Sequence, residues 1–587
     1  MTVEDPFAHL HDEDYAAAFS RDWAGANSLV DPGGRPQRSL DGAWEMTLDP
    51  FDEGLRQRWY ALNGAAPERW SVPRDYDPGG SDVVPVPSCW NLLRPELKHY
   101  EGAVWYVRSF EALPAEGMRQ LLQFGAANYA ARVFLNGRFL GAHRGGSTPF
   151  TLDATHAIVA GANRLMVHVE NRRRDDRVPM SHFDWFNYGG LHRGVALMQV
   201  PALHVRRFAL RLAADSDAAI ELRVELSARA EASARLRVPD LGLDLPVEIA
   251  DGIGTARVAA EPELWAPGRP RLYDVEIACG SDRVRERVGF RRIAVRGAEI
   301  LLNGAPIRLK GACVHEDDVV RGRCTDAADV ARRFADLEAL GGNFLRLAHY
   351  PHDPMVARMA DEAGVLLWAE IPVYWAIDFG NADTYADAEN QLLELVARDC
   401  NRASVILWGV GNENADTDAR YRFMAALADA ARRADPTRLV SAACLVNREL
   451  FRIEDRLAEK LDVIGLNEYF GWYEPDPNDL ARLLANSGAG KPLLISETGA
   501  DAVAGLHGPE TQLFGEERQA AFFRSQLDIL RLFPRVQGMA AWLLYDFRSE
   551  RRQTRFQRGW NRKGLIAEDK TTRKAAFAAL RDAWANW

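Results

Sequence analysis

Two glutamates, Glu413 and Glu497, stand at the ends of short apolar runs that lie far apart in the chain. Glu413 closes the run VILWGVGNE (405–413), and Glu497 closes PLLISE (492–497). Two carboxyl groups that face one point can cleave a glycosidic bond, because one gives a proton to the leaving oxygen while the other attacks or stabilises the anomeric carbon. Like charges held near each other push their pKa values apart, which separates the two roles. For either glutamate alone, a salt bridge to an arginine is an equally good interpretation.

From about residue 296 onward, short apolar runs alternate with amphipathic segments such as AADVARRFADLEAL, whose spacing is helical. The runs lie at 307–315, 343–350, 365–371, 405–413, 438–445, 462–469, 492–497 and 538–546. Eight strands with helices between them, over about 290 residues, predict a (β/α)8 barrel. A doubly wound open sheet is the alternative, which the lack of a glycine-rich phosphate loop after the first run disfavours. Barrel sites lie at the carboxyl ends of strands, so Glu413 and Glu497, on the facing fourth and seventh strands, are expected to converge.

Other polar and aromatic side chains follow the same runs and are expected to line the pocket. They are His315, Arg346, His349, Glu370, Asn412, Asn467, Tyr469, Trp542 and Asp546. We expect His349 to form hydrogen bonds in the pocket and Glu370 to support its neighbours. His315, Asp317 and Asp318 suggest metal ligands, but no second cluster has metal-ligand spacing and hydrolysis by paired carboxylates needs no metal. No metal and no cofactor are therefore expected.

The first half of the chain is predicted to be all-β. Segments such as RLMVHVE alternate apolar and polar residues, and Asn136-Gly137 is a strong hairpin signal. Residues 203–295 have the length and short strands of a small β-sandwich. The sequence thus predicts two all-β domains, at 1–202 and 203–295, followed by a barrel at 296–587.

Composition limits the functional classes. A formal net charge of −11 disfavours a general nucleic-acid binder. Six scattered cysteines without a CxxC pair favour reduced thiols over disulfides. No signal peptide and no membrane-spanning apolar run is visible, so a soluble, cytoplasmic protein without a membrane partner is expected.

Several motifs give the chain a family resemblance. The segments RDCNRASVILWGVGNE, NFLRLAHYP, LNEYFGWY and PLLISETGADAVAGLH resemble blocks of glycoside hydrolase family 2, especially its β-glucuronidases. Outside the barrel, WYVRSF, GGSTPF, FNYGGLHRGV and GFRRIAVRGAEILLNGAPIRLKG are similar to the family as well. The resemblance implies a jelly-roll sugar-binding-like domain, an immunoglobulin-like sandwich and a catalytic barrel. It also implies double displacement with net retention, Glu497 as nucleophile and Glu413 as acid/base.

The resemblance also implies roles for substrate-binding residues. It assigns the orientation of the nucleophile and of the sugar 2-hydroxyl to Arg346, Asn412 and Tyr469. It assigns further sugar contacts to Trp542, Tyr473 and Asp184. The motif NRK matches an Asn-x-Lys pair of β-glucuronidases, in which Asn561 and Lys563 would hold the sugar C6 carboxylate through amide donors and a positive charge. A further arginine for this carboxylate could be Arg555 or Arg558.

The chain also departs from the family. No long insertion follows the third run, which suggests an open site for larger glucuronides, and Glu468 replaces a basic residue of bacterial relatives. The predicted function is a retaining exo-β-glucuronidase acting on small-molecule or oligosaccharide glucuronides, as a homo-oligomer by analogy. A β-galacturonidase, a β-galactosidase and a noncatalytic carbohydrate-binding protein are the alternatives.

Overall fold

The computed structural model describes residues 13–20, 22–61, 82–488 and 490–587. Its first sheet system is a two-sheet sandwich. Its strands are β1 (Gln37–Ser39), β2 (Gly42–Asp49), β3 (Asp82–Val86), β4 (Ala103–Ala112), β5 (Met118–Phe124), β6 (Ala130–Leu135), β7 (Arg138–Arg144), β8 (Phe150–Asp153), β9 (Gly161–Glu170) and β10 (Val195–Pro201). A six-stranded sheet, β3-β2-β4-β9-β6-β7, packs on a four-stranded sheet, β1-β10-β5-β8. Asn136 and Gly137 both have positive φ, at 53° and 82°, and turn β6 into β7 as predicted.

The second system is a seven-stranded antiparallel sheet that folds over its own core. Its strands are β11 (Val205–Ala213), β12 (Ser216–Leu226), β13 (Ala232–Val238), β14 (Leu243–Ala250), β15 (Ile253–Ala259), β16 (Tyr273–Cys279) and β17 (Asp282–Val288). In β13, buried Ala234, Leu236 and Val238 alternate with exposed Arg235 and Arg237, because successive side chains of a strand point to opposite faces.

The third system is a closed parallel barrel in which the last strand pairs with the first. A small sheet precedes it, formed by β18 (Ile293–Arg296), β19 (Glu299–Leu302) and β20 (Ala305–Pro306). The barrel strands are β21 (Leu309–Val314), β22 (Phe344–Leu347), β23 (Leu366–Glu370), β24 (Val405–Asn412), β25 (Leu439–Cys444), β28 (Val463–Asn467), β29 (Leu493–Thr498) and β30 (Val536–Ala541). Two hairpins extend its loops, β26 (Val446–Asn447) with β27 (Arg452–Ile453), and β31 (Phe547–Arg548) with β32 (Trp560–Asn561).

The helices surround this barrel, apart from the N-terminal α1. They are α1 (Glu13–Ala18), α2 (Ala327–Ala339), α3 (Pro354–Ala363), α4 (Ala382–Asp399), α5 (Asp418–Ala434), α6 (Asp479–Asn486), α7 (Glu516–Leu530) and α8 (Ala575–Trp584). Short 3-10 helices lie at Ala26–Ser28, Trp59–Ala61, Trp90–Leu92, Pro95–Leu97, Pro239–Leu241 and Arg456–Lys460, the last in place of an α-helix after β25. None of these helices is both long enough and apolar enough to span a bilayer, within the ranges described. The predicted fold class, two all-β domains followed by a barrel, is confirmed.

Buried polar contacts dock the first domain on the barrel. The imidazole Nε2 of His143 lies 3.0 Å from Glu394 on α4, and the Arg193 guanidinium donates to Glu316 at 3.0 Å. Isolated buried charges would be costly, so these pairs fix how the two domains meet. The docking carries Trp185 to the mouth of the barrel, where its ring lies 5.0 Å from that of Tyr374.

Candidate active site

Glu413 and Glu497 emerge on opposite sides of the barrel mouth. Glu497 belongs to β29, the seventh barrel strand, and Glu413 directly follows β24, the fourth. Both side chains enter one hydrogen-bonded network whose centre is Arg346 on β22. The geometry therefore brings together the two carboxyl groups that the sequence predicted to converge.

Arg346 is fully buried and binds each of the surrounding acids and amides. Its guanidinium donates to Glu497 Oε1 at 2.9 Å, to Asn412 Oδ1 at 2.8 Å and, through two nitrogens, to Glu370 at 3.0 Å. Such a bidentate pair fixes the plane of the guanidinium, because both groups are flat and rigid. Glu370 thus holds Arg346, which in turn holds Glu497, in the supporting place expected for it.

Glu413 is held by two donors on its own side of the mouth. Trp375 Nε1 donates to Glu413 Oε2 at 2.8 Å, and Asn467 Nδ2 donates to Glu413 Oε1 at 2.9 Å. Both Glu413 and Trp375 have φ of 53°, in the left-handed region that side chains other than glycine rarely adopt. Backbone strain of this kind persists where the surroundings impose it and clusters at functional sites.

Amide and phenol groups complete the network. Tyr469 donates its hydroxyl to Glu497 Oε2 at 2.7 Å, so both oxygens of Glu497 accept a hydrogen bond. Asn467 links the halves, since its Nδ2 also lies 3.0 Å from Asn412 Oδ1. The Nδ2 group of Asn412 is buried and has no partner in the described part of the chain, so this donor is free for a substrate hydroxyl.

Burial raises the pKa of Glu497, and the neighbouring charge of Glu413 acts in the same direction. The positive charge of Arg346 and the hydrogen bond from Tyr469 oppose this increase. Burial outweighs these two partners, so the pKa of Glu497 is raised to about 8, and its ionisation depends on the charge state of Glu413.

An aromatic surface lies beside Glu497. The indole of Trp542, which follows β30, stacks on His349 with ring centroids 5.0 Å apart. Burial and the charge of Arg346 lower the pKa of His349 well below its ordinary value, so the imidazole is neutral. Its Nδ1 donates to Glu370 at 2.7 Å, and its Nε2 faces Glu497 at 3.6 Å. His349 thus lies between Glu370, Trp542 and Glu497 as a hydrogen-bonding group.

A cationic corner adjoins these residues. Lys563 is almost fully buried, and its ammonium donates to Asp501 Oδ2 at 2.5 Å and to Tyr473 OH at 2.9 Å. Its nitrogen lies 5.8 Å from the ring centroid of Tyr469, whose hydroxyl reaches Glu497. The Nδ2 donor of Asn561 is buried without a partner among the described residues. The corner therefore offers a fixed ammonium, one residue removed from Glu497 through Tyr469, and a free amide donor.

The corner also holds the carboxylate contributed by the first domain. Asp184 is buried and forms an ion pair with Arg552, and it accepts a hydrogen bond from Ser549. Arg552 also donates to Tyr473 OH at 3.0 Å. Among the arginines of the β31–β32 hairpin, Arg552 is the one with contacts to both Asp184 and Tyr473 in the described structure.

Arg555 and Arg558, the two arginines considered from the sequence, are both exposed. The Arg555 guanidinium lies over the ring of Phe556, and Arg558 donates to the Arg555 carbonyl. Neither contacts Lys563, Asn561 or Tyr473 in the described structure, whereas Arg552 donates to Tyr473 OH.

The remaining polar residues at the strand ends have structural partners. His315 Nδ1 lies 3.2 Å from Tyr350 OH, and its ring stacks on Phe547. Three carboxylates form ion pairs: Asp317 with Arg548, Asp318 with Lys570, and Asp546 with Lys574. These carboxylates are neutralised by cations of the chain itself.

Three residues of the site were not predicted from the sequence: Asp501, Arg552 and Trp375. Asp501 lies four residues after Glu497, within the quoted motif PLLISETGADAVAGLH, and a carboxylate beyond a barrel strand end is a usable signal. Arg552 is one of several arginines in the β31–β32 hairpin, and no spacing distinguishes it from the others. Trp375 follows the third barrel strand by five residues, in a loop whose course depends on its left-handed backbone.

Glu468, the residue that departs from the family pattern, is buried next to the site. Its Oε2 accepts a hydrogen bond from Phe470 N at 3.1 Å, and no ion pair to it is found in the described ranges. Burial raises the pKa of Glu468 to about 8. The side chain is therefore protonated in the neutral range and adds no charge to the pocket.

Glu468→Gln is expected to stabilise the protein in alkaline solution. Between pH 4.5, the ordinary pKa of glutamate, and about 8, the unfolded chain releases a proton that the folded chain retains, so stability falls as the pH rises. Glutamine removes this dependence, and thermal unfolding at pH 8 should shift upward by about 2–4 °C, with little change at pH 4.5. Exposed Glu449→Gln is the control, and equal shifts at both pH values would contradict this account.

Comparison with protein families matches the chain in three consecutive segments. The model described as "Glycosyl hydrolases family 2, sugar binding domain" matches residues 37–201, and "Glycosyl hydrolases family 2" matches 203–291. The model described as "Glycosyl hydrolases family 2, TIM barrel domain" matches 293–586, which is half of the chain. The matches together span all three sheet systems.

Individual proteins align over nearly the whole length. A beta-glucuronidase of Paenibacillus borealis is 29% identical over 94% of this chain and 97% of its own, and that of Homo sapiens is 28% identical over 94% and 91%. A solved beta-glucuronidase of an uncultured Clostridium superposes with a TM-score of 0.82 at 28% identity, covering 95% of this chain and 99% of the other. The Ruminococcus gnavus β-glucuronidase in complex with D-glucuronic acid superposes with a TM-score of 0.82 at 26% identity, covering 96% and 100%.

Proposed function

Because this chain belongs to glycosyl hydrolase family 2, we propose that it is an exo-acting β-glucuronidase that cleaves with net retention. The observation that carries the proposal is the buried Lys563 ammonium together with the buried Asn561 Nδ2, which has no partner among the described residues. Lys563 lies next to Tyr469, which contacts Glu497. A sugar bound against Glu497 would thus meet a cation and an amide donor. Beta-glucuronidases among the similar proteins support the same substrate class.

The C6 carboxylate of a glucuronide suits this corner because charged donors form the stronger hydrogen bonds. Such bonds contribute roughly 1.5–3 kcal/mol each, which is about ten- to hundredfold in affinity. A neutral hydroxymethyl group would offer no charged acceptor to Asn561 Nδ2 or to the Lys563 ammonium. Asp184 is placed to accept a hydrogen bond from a sugar hydroxyl, with Arg552 holding its orientation.

The reaction follows from the positions of Glu497 and Glu413. A carboxylate oxygen of Glu497 attacks the anomeric carbon, while Glu413 transfers its proton to the departing glycosidic oxygen, so the aglycone leaves as the free alcohol. Arg346 and Tyr469 hold the attacking group in place. In the second step Glu413, now ionised, removes a proton from water, and the water oxygen displaces Glu497 to release the sugar with retained configuration.

Asn412 would stabilise the transition state through the sugar 2-hydroxyl. Its buried Nδ2 donor has no partner among the described residues, and Arg346 and Asn467 fix the amide through its Oδ1. A hydrogen bond to the 2-hydroxyl that strengthens as charge develops lowers the barrier. His349 and Trp542 supply the flat surface beneath the ring.

Glu413→Gln should separate substrates by how much their aglycone needs a proton in order to depart. The amide has no acidic proton to transfer, so kcat/KM for methyl glucuronide, whose aglycone must be protonated, should fall far more than kcat/KM for dinitrophenyl glucuronide. Dinitrophenolate departs without protonation, which makes that substrate the internal control. Equal losses on both glucuronides would argue against Glu413 as the proton donor.

Three nitrophenyl glycosides test the proposed function. We expect the β-glucuronide to be hydrolysed with a kcat/KM at least roughly tenfold above the β-galactoside, because Lys563 favours an acidic sugar. The β-galacturonide carries the same C6 carboxylate and compares the two C4 configurations. Preference for the galacturonide would favour that alternative activity. Comparable turnover of the galactoside would remove the role given to Lys563, and binding without turnover would indicate a noncatalytic protein.

A further inference from the structure

Arg551 lies over Trp375, the indole that donates a hydrogen bond to Glu413. Its guanidinium carbon is 4.6 Å from the ring centroid of Trp375, and the Nε1 of that indole donates to Glu413 Oε2 at 2.8 Å. Under the proposed function Glu413 faces the glycosidic oxygen, so Arg551 lies next to the departing aglycone and not next to the sugar that is released.

The indole that carries Arg551 is held firmly. Trp375 N–H donates to the Asn412 carbonyl at 2.9 Å, and its own carbonyl accepts from Asn414 Nδ2 at 2.9 Å. The ring of Tyr374 packs 4.5 Å from its centroid. These contacts fix the left-handed backbone of Trp375 and thereby the place of the cation above it.

Arg551 carries a charge that the described chain does not neutralise. Its neighbours in the β31–β32 hairpin have acidic partners: Arg548 pairs with Asp317 and Arg552 with Asp184. For Arg551, by contrast, no carboxylate is recorded within 4.0 Å in the described ranges, although the adjacent Glu550 is close in sequence. The carboxylate of Glu550 is itself bound by Arg173 and His99.

An exposed guanidinium held next to the leaving group has a specific use. Arginine binds carboxylate and sulfate groups through two parallel hydrogen bonds, and its ordering by an aromatic platform lowers the entropy lost on binding. The formal net charge of the whole chain is −11, so the positive charge of Arg551 is opposite in sign to that of the protein as a whole.

We propose that Arg551, placed by Trp375, forms the first aglycone subsite and selects glucuronides whose aglycone carries an anionic group near the glycosidic bond. The proposal rests on the proposed function, because only glycoside cleavage places an aglycone next to Glu413. Its substrate class is an acidic aglycone, either a carboxylate-bearing unit or a sulfated one.

The test compares two glucuronides that differ only in charge, 4-carboxyphenyl and 4-carbamoylphenyl β-glucuronide. At low ionic strength the wild type should prefer the carboxylate, and Arg551→Gln should reduce kcat/KM for the carboxylate about tenfold more than for the amide. Sodium chloride at 0.5 M should reduce the preference of the wild type for the carboxylate, since the ion pair between Arg551 and the aglycone is exposed to solvent. 4-Sulfooxyphenyl β-glucuronide, with a sulfate ester in place of the carboxylate, then separates the two acidic groups.

Arg555→Gln is the matched control, because Arg555 is exposed in the same loop and contacts Phe556 instead. It should leave the ratio of the two substrates unchanged, and thermal unfolding should coincide for all three proteins. A wild type with no preference, equal losses on both substrates in Arg551→Gln, or the same change in Arg555→Gln would overturn the subsite. Failure of the wild type to cleave either glucuronide would refute the proposed function and the subsite with it.

Discussion

Glu497→Gln is expected to lower the kcat for nitrophenyl β-glucuronide by roughly four orders of magnitude or more. The amide cannot supply the negative oxygen that attacks the anomeric carbon, yet it has nearly the same shape as the carboxylic acid. Its oxygen can still accept a hydrogen bond from Arg346 or Tyr469, which contact the two oxygens of Glu497 in the wild type. The pocket should therefore keep its form while the first chemical step fails.

Glu468→Gln provides a matched control for this loss. The same substitution is made at a buried carboxyl at the end of the neighbouring strand β28, where the backbone N–H of Glu468 donates to the Glu497 carbonyl at 3.0 Å. Glu468 has no recorded hydrogen bond to Arg346, Glu413 or Tyr469. We expect this control to turn over substrate normally, with kcat measured alongside circular dichroism. Residual activity of Glu497→Gln above about one per cent, with contaminating wild type excluded, would contradict its role as nucleophile.

Removing the cation of the corner should change which sugar is preferred. Lys563→Met alone would leave the buried Asp501 without its ammonium partner, which is strongly destabilising in proteins. The double variant Lys563→Met/Asp501→Asn removes both charges together. We expect it to lose about hundredfold in kcat/KM for glucuronides, because the C6 carboxylate loses its main charged donor.

The same double variant acts as its own control on neutral sugars. A galactoside or glucoside has no acidic group, so its low kcat/KM should change by no more than about threefold and the selectivity should collapse. Asp501→Asn alone leaves the Lys563 ammonium without its counter-charge and tests whether the loss comes from the cation itself. Equal losses on acidic and neutral substrates would mean that the pair only supports the fold.

The fold class could be predicted because the eight apolar runs coincide with barrel strands. The run at 405–413 contains β24 (Val405–Asn412), and the run at 492–497 contains most of β29 (Leu493–Thr498). Strands of a parallel barrel are buried on both faces, so their apolar runs are short, continuous and easy to recognise. The resemblance to family 2 is likewise confirmed by the matches along the whole chain.

The contacts of the corner could not be predicted because they join distant loops. Lys563 meets Asp501 across 62 positions, and Arg552 meets Asp184 across 368. Neither motif spacing nor residue type distinguishes Arg552 from Arg555 and Arg558, which share its loop. The course of the hairpin decides which arginine points inward, and that course depends on tertiary packing.

The position of Trp375 illustrates the same limit at the backbone level. Its φ of 53° is unfavourable for a tryptophan, so local propensity predicts a different direction for the side chain. Hydrogen bonds from Asn414 and to the Asn412 carbonyl hold this conformation. Such exceptions to local preference occur where a site requires them, which is why Trp375 became visible as a partner of Glu413 only in three dimensions.

Covalent trapping tests the central claim most directly. The protein is incubated with 2-deoxy-2-fluoro-β-glucuronyl fluoride, or with the matching glucosyl fluoride, and intact mass and peptide mapping follow the adduct. We predict one adduct per chain on Glu497, forming at least about tenfold faster with the uronic acid, and a rate advantage that disappears in Lys563→Met/Asp501→Asn. An adduct on another residue, no adduct at all, or equal rates with both sugars in the wild type would contradict the account.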